Sequence, residues 1–163
     1  MEISSRHHLR SDAVRDLEAA LADTLGVDLD GDSYELVELE DSPFDLVLVD
    51  GEPLAGYVET EAGRQPFLTV RGANHHEPER GVVTVDAGAV SFVSDGADVM
   101  RPGITEADPG IEAGDVVVVV EETHGKALAV GRARVDGTEM EGEEGKVVDS
   151  LHHVGDELFE FDV

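Results

Sequence analysis

Three adjacent histidine pairs, His7-His8, His75-His76 and His152-His153, are the side chains that first suggest chemistry, because imidazoles bind metals. Neighbouring residues on a strand point to opposite faces, so an adjacent pair chelates one ion poorly. The sequence has no cysteine, which removes thiolate zinc sites, disulfides and thiol catalysis. A metal site would need three segments to converge, and none is expected. Asp28-Leu29-Asp30-Gly31-Asp32 resembles a calcium loop, but its glycine comes two places early and Leu39 stands where the bidentate Glu belongs. It reads as an Asp/Gly turn. There is no G-x-S-x-G elbow and no phosphate-cradling G-x-x-x-x-G-K. Asp86 and Asp98 can be imagined as a carboxylate pair, but caps and turns use such residues more often. The expectation is a protein with no catalytic site, metal or cofactor.

Surface recognition is then the alternative to chemistry, and charge bears on it. The 163 residues carry 38 acids and 11 bases, a formal net charge of −27. The acids are divided evenly: residues 1–80 hold 19 acids and 6 bases, and residues 81–163 hold 19 acids and 5 bases. They interleave with apolar residues rather than forming a tail. Two Lys stand against nine Arg. This pattern predicts a halophilic protein, folded in concentrated salt where repulsion between carboxylates is screened. Three windows hold no acid: Ile3–Ser11, Ala62–His76 and Thr123–Val135. They contain seven of the 11 bases and are candidate contact surfaces, although buried strands would exclude acids too. The longest apolar run, Val116–Val120, is far short of the ~18 residues that read as a membrane span. The N-terminus lacks the apolar core of a signal peptide. A cytoplasmic location follows by default.

The elements that must position any surface fall into two groups. Ser11 is a candidate cap for a helix in which Val14, Leu17, Leu21 and Leu25 recur on one face, and Gly26 stops it. Strands are expected at Tyr34–Leu39, Leu46–Val49, Leu54–Glu59 and Phe67–Val70. Residues 71–80 read as a linker. Beyond it, glycines from Gly88 to Gly137 punctuate short strands at Val82–Val85, Asp115–Glu121 and Ala127–Val135, with a last strand at Leu158–Val163. The fold class is therefore α+β: an N-terminal α+β domain over 1–75 and a small β-barrel domain over 81–163. In Ala127–Val135, alternation puts Ala127, Ala129, Gly131 and Ala133 inward and the pair Arg132 and Arg134 outward.

The run from Val85 to Val93, then Gly96-Ala97-Asp98-Val99-Met100-Arg101-Pro102-Gly103-Ile104, resembles the opening of a PUA domain. Gly114-Asp115 before a valine strand and His124-Gly125-Lys126-Ala127-Leu128 continue the pattern in order, with Ser91 and Ala127 standing where proline is expected. With its N-terminal unit, the chain resembles archaeal stand-alone PUA proteins, which are similar to the malignant-T-cell-amplified-sequence proteins and to the N-terminal half of ligatin. The resemblance implies RNA binding without catalysis: the 3′ end of tRNA, or rRNA of the small ribosomal subunit, in initiation or recycling. It also implies a density-regulated-type protein partner. An accessory subunit for tRNA modification, of the transglycosylase or pseudouridine synthase kind, is the alternative, and a pure protein-interaction module a third. A monomer is expected.

On this resemblance the RNA lies along Phe92–Ala97 and Asp98–Ile104. Phe92, Ala97 and Pro102 belong to that surface. Gly96 and Gly103 would let a phosphate or ribose approach the backbone, or simply serve the barrel turns. Met100 offers a soft contact to a base, or belongs to the core. Arg101 supplies a planar cation for phosphate or stacking. Lys126, Arg132 and Arg134 are the further candidate RNA contacts.

Overall fold

The computed structural model describes residues 1–162. Strand β1 (Ile3–His8) leads into helix α1 (Ser11–Leu25). An antiparallel meander follows: β2 (Tyr34–Leu39), β3 (Phe44–Val49), β4 (Glu52–Thr60) and β5 (Gly63–Leu68). With β1 it forms a five-stranded sheet in the order β1-β2-β3-β4-β5. After the short helix α2 (Val70–His75) come β6 (Val82–Val85), α3 (Ala87–Ser94) and β7 (Val99–Met100). A 3-10 turn, Arg101–Gly103, joins β7 to β8 (Ile104–Ala107). Then come β9 (Val116–Glu121), β10 (Ala127–Ala133), β11 (Lys146–His153) and α4 (Glu157–Glu160). The second sheet runs β7-β11-β10-β9-β6-β8, so its two edge strands are joined directly by the 3-10 turn and the sheet is nearly closed. The fold is the expected α+β class with a C-terminal pseudo-barrel. No helix among the described residues is long and apolar enough to cross a membrane.

The valine run of β9 shows how the two units meet. Val117 and Val119 point into the barrel with Val83, Val85, Met140 and Val148. Val118 and Val120 point the other way, into an apolar cluster that holds Leu17, Leu21 and Leu25 of α1 and Leu46 and Leu48 of β3. A strand buried on both faces reads as continuous valine, which is why no alternation was visible. Leu158 and Phe161 join the same cluster from the C-terminus. The two sheets thus share a core.

Four local expectations are corrected. Ser11 is the first helical residue of α1; Arg10 occupies the cap position and makes no side-chain cap bond. Val70, the end of an expected strand, and residues 71–75 of the expected linker form α2, because the Thr69 hydroxyl accepts from the Gly72 N–H at 3.0 Å and starts a turn. Only glycine fits at 72, since a Cβ there would fall on the Leu54 carbonyl. The C-terminal segment is not a strand: the Asp156 carboxylate accepts from the Phe159 N–H at 2.8 Å and nucleates α4. Val163, the last residue of that expected strand, lies outside the described residues. In β10 the inward set differs from expectation. Register shifts beside Ala129 and Gly131 put both Leu128 and Ala129 in the barrel, while Ala127 and Val130 turn to the shared core.

One buried link ties the units by hydrogen bonds. The Val70 N–H, at the start of α2, donates to Nε2 of His152 at 3.1 Å. That nitrogen therefore bears no hydrogen, and Nδ1–H donates to Asp156 at 2.9 Å. Asp156 also accepts from the N–H groups of His153 and Phe159, both at 2.8 Å. Burial pushes its carboxyl up, but the bond from His152 and these N–H groups outweigh that and hold it below the usual carboxylate range. A depressed folded pKa gives stability that is present above the unfolded value, about 3.9, and is lost as pH falls through the folded value. Asp156→Asn is expected to lower the melting temperature at pH 7 by several degrees, from a loss of about 1–3 kcal/mol. Below about pH 4 the carboxyl of the unfolded chain takes up a proton before the folded one does, so the gap between the two proteins narrows as pH falls. Calorimetry at both pH values checks this; a constant gap would mean that the charge is not what matters.

Candidate nucleic-acid interface

Asp86 begins the site. Its carboxylate accepts from the Ala89 N–H at 3.0 Å and caps α3. Its own N–H donates to the Gly103 carbonyl at 2.9 Å, which draws the 3-10 turn against the helix. Glycine is required at 103, because a Cβ there would stand 2.9 Å from the Ala89 Cβ. The close approach leaves a groove of about 460 Å³ between α3 and the β7-turn segment. Phe92, Val93, Ala97, Val99, Met100, Pro102 and Gly103 line it, with Asp86 and Asp98 among them. Phe92 is 67% exposed and Met100 47% exposed. Among the described residues the other large apolar side chains exposed are Met1 and Ile3, at the N-terminus.

The structure brings Phe92, Ala97, Met100, Pro102 and Gly103 together in this groove. Gly96 lies just beyond α3 with φ of +96°, and a Cβ there would stand 2.8 Å from Nε2 of His153. Glycine at 96 and 103 is thus required by packing within the protein, as the reading that they serve the barrel turns expected. Arg101 is engaged internally: Nε donates to the Glu139 carbonyl at 2.9 Å and Nη1 to the Glu144 carbonyl at 3.0 Å. Lys126 is exposed at the β9–β10 hairpin, with no ion-pair partner among the described residues. That hairpin adjoins the α3 end of the groove, since the Glu122 N–H donates to the Val85 carbonyl. Arg132 and Arg134 do not line the groove. Arg134 pairs with Asp149 at 3.1 Å. Arg132 is half-buried on the side turned from the barrel, and its Nη2 is buried with no partner among the described residues.

Two residues that position the site were missed. Lys146 is the register partner of Met100, and its amine pairs with Asp98 at 2.9 Å. That bond, with the Ser150 N–H at 2.7 Å, holds the Asp98 carboxyl below the usual range, so Asp98 is a fixed anion that braces the wall. The Nδ1–H of His153 donates to the carbonyls of Ser94 at 3.0 Å and Val154 at 2.9 Å and supports the end of α3. No local signal marks either one, because both reach the groove through β11. The acid-free windows are not bare cationic surfaces: Arg6 pairs with Glu35 at 3.1 Å and Arg64 with Asp45 at 3.0 Å. Among the described residues no three His, Asp or Glu side chains converge as metal ligands.

The family model of the PUA domain matches residues 81–155. An uncharacterized protein of Methanocaldococcus jannaschii is 41% identical over 119 residues, covering 72% of this chain and 71% of that one. Translation machinery-associated protein 20 of Saccharomyces cerevisiae is 36% identical over 137 residues, covering 79% of this chain and 72% of that one. A solved PUA domain protein of Thermoplasma acidophilum superposes with a TM-score of 0.79 at 28% identity, covering 95% and 97% of the two chains. Its agreement extends over the N-terminal sheet as well as the barrel. Identity at this level, over most of both chains, places the protein in the PUA-domain family that includes Translation machinery-associated protein 20.

Proposed function

We propose that this protein binds an unpaired segment of RNA in the α3–β7 groove and acts in the cytoplasm in translation, at the small ribosomal subunit. The observation that carries the reading is the groove itself, where Phe92 and Met100 remain exposed beside Ala97, Pro102 and Gly103. An aromatic ring beside a thioether suits the face of a base, since RNA is read chiefly where bases are unstacked. Lys126 at the adjoining hairpin is the cation placed to meet a phosphate. Arg134 is held by Asp149 and serves more distantly. The groove offers no nucleophile paired with a base, so recognition without catalysis fits it best. The tie to translation rests on the name of the yeast relative. The 3′ end of tRNA and an unpaired rRNA segment are the RNA candidates, and a density-regulated-type protein is the partner that goes with this role.

The test is sedimentation of the native protein through a gradient at the salt concentration where it is folded. Co-migration with the small subunit, reduced by Phe92→Ala and Lys126→Ala, is expected. Recovery only with a population of modified tRNA would replace this reading with an accessory role in tRNA modification. Recovery with no RNA would remove both.

A further inference from the structure

Arg101 is a cation at the edge of the groove, half-buried, yet its guanidinium is bonded to its own chain. Its backbone N–H donates to the Gly145 carbonyl at 2.8 Å, while Nε and Nη1 reach the carbonyls of Glu139 and Glu144. Residues 139–145 therefore close around the arginine stem. Two glycines make this possible. A Cβ at Gly142 would stand 3.0 Å from Cδ of Arg101, and one at Gly145 would stand 2.7 Å from Nη1. Gly145 also has φ of +103°, a conformation open to glycine. The loop is rooted in the barrel by Met140, which is fully buried. Glu139, Glu141, Glu143 and Glu144 give the loop four acids, an unfavourable neighbourhood for a phosphate.

The clasp has a counterpart at the other end of the same segment, where Asp98 is held by Lys146 and the Ser150 N–H. Met100 lies between the two anchors and is the exposed residue. Arginine suits the position because a planar fork can donate in two directions to two separate carbonyls. A lysine carries the same charge on a single nitrogen.

Resting on the RNA reading above, we propose that Arg101 is a positioning residue for the groove. It acts through Met100 and Pro102, and it contacts the 139–145 loop rather than RNA phosphate.

The experiment titrates an RNA with an unpaired 3′ end at several KCl concentrations where the protein is folded. It compares wild type, Arg101→Ala, Arg101→Lys and Gly142→Ala. The expected result is that Arg101→Ala weakens binding about tenfold at every salt concentration and leaves the slope of log K against log salt unchanged. Arg101→Lys fails to restore affinity, and Gly142→Ala weakens binding although it removes no charge. A slope reduced by about 0.7, the value for one lost phosphate contact to a single strand, with rescue by Arg101→Lys and no effect of Gly142→Ala, would overturn the proposal. A second readout needs no RNA: the methyl resonance of Met100 in the free protein shifts in all three variants while that of Met1 does not. An unmoved Met100 methyl in Arg101→Lys and Gly142→Ala would also overturn it. Should wild type bind no RNA, the functional reading fails, and the Met100 spectrum still decides whether the clasp sets the wall.

Discussion

Lowering KCl from molar levels to about 0.1 M is expected to unfold this protein, as the Debye length grows from ~3 Å at 1 M to ~10 Å. Thirty-eight acids face 11 bases, and several of those bases are already engaged one to one. Arg6, Arg64, Arg134 and Lys146 each neutralise a single carboxylate, and Arg10 lies 3.3 Å from Asp12. Others, such as Asp50, Asp86, Asp108 and Asp156, accept backbone N–H bonds, which bring no compensating positive charge. At a ~10 Å screening length each one feels neighbours well beyond contact, and the sum opposes the compact state. Neither half is a weak point in charge, since both hold 19 acids. The apolar cluster that joins α1 and β3 to Val118, Val120 and Phe161 also couples the two sheets. One cooperative transition is expected rather than release of a domain. Circular dichroism and thermal melts across the KCl range decide the matter. An unchanged melt would show that the acids are tolerated without salt and that the halophilic reading is wrong.

Helix α1 was legible because its apolar residues recur at helical spacing and Gly26 adopts the left-handed conformation with φ of +66°. The valine of β9 and the glycine turns around it gave the barrel for the same reason: each is a local pattern with one physical meaning. The failures are elements whose cause lies elsewhere in the chain. Strand β1 is exposed along nearly its whole length, and only pairing with β2 makes it a strand. Helix α2 exists because Thr69 caps it and Leu54 leaves room for nothing larger than Gly72. Leu158, Phe159 and Phe161 suit a strand or a helix equally, and Asp156 decides for the helix. The site divides in the same way. Phe92 and Met100 stand in one contiguous stretch of sequence, and the fold brings them to one groove. Lys146 and His153 lie outside it and reach the groove only through the register of β11. The role expected for Arg101 rested on its charge, and its bonds to Glu139 and Glu144 depend on a loop about forty residues away.

Replacing Phe92 by Ala is expected to cost RNA affinity far more than stability. The ring is 67% exposed, so truncation removes little buried surface and the thermal melt should hold. Stacking of a base on an aromatic side chain is worth roughly 1–3 kcal/mol, which corresponds to about a 5- to 150-fold loss of binding. This term should dominate because the electrostatic one is small here. Lys146 is held by Asp98 and Arg134 by Asp149, while Arg101 is bonded to the carbonyls of its loop. Lys126 is exposed on the hairpin bonded to the strand before α3 and has no ion-pair partner among the described residues, so few counterions are released on binding. The slope of log K against log salt for a single strand is about −0.7 per neutralised phosphate. A total slope no steeper than about −1.4, or two phosphates, is therefore expected, with the Phe92→Ala loss constant across the salt range. The measurement is a titration of RNA with an unpaired 3′ end at KCl concentrations where both proteins melt alike. A steep slope, with a Phe92→Ala defect that vanishes as salt rises, would mean that charge neutralisation governs binding. The exposed ring would then be a bystander to a cationic surface elsewhere on the molecule.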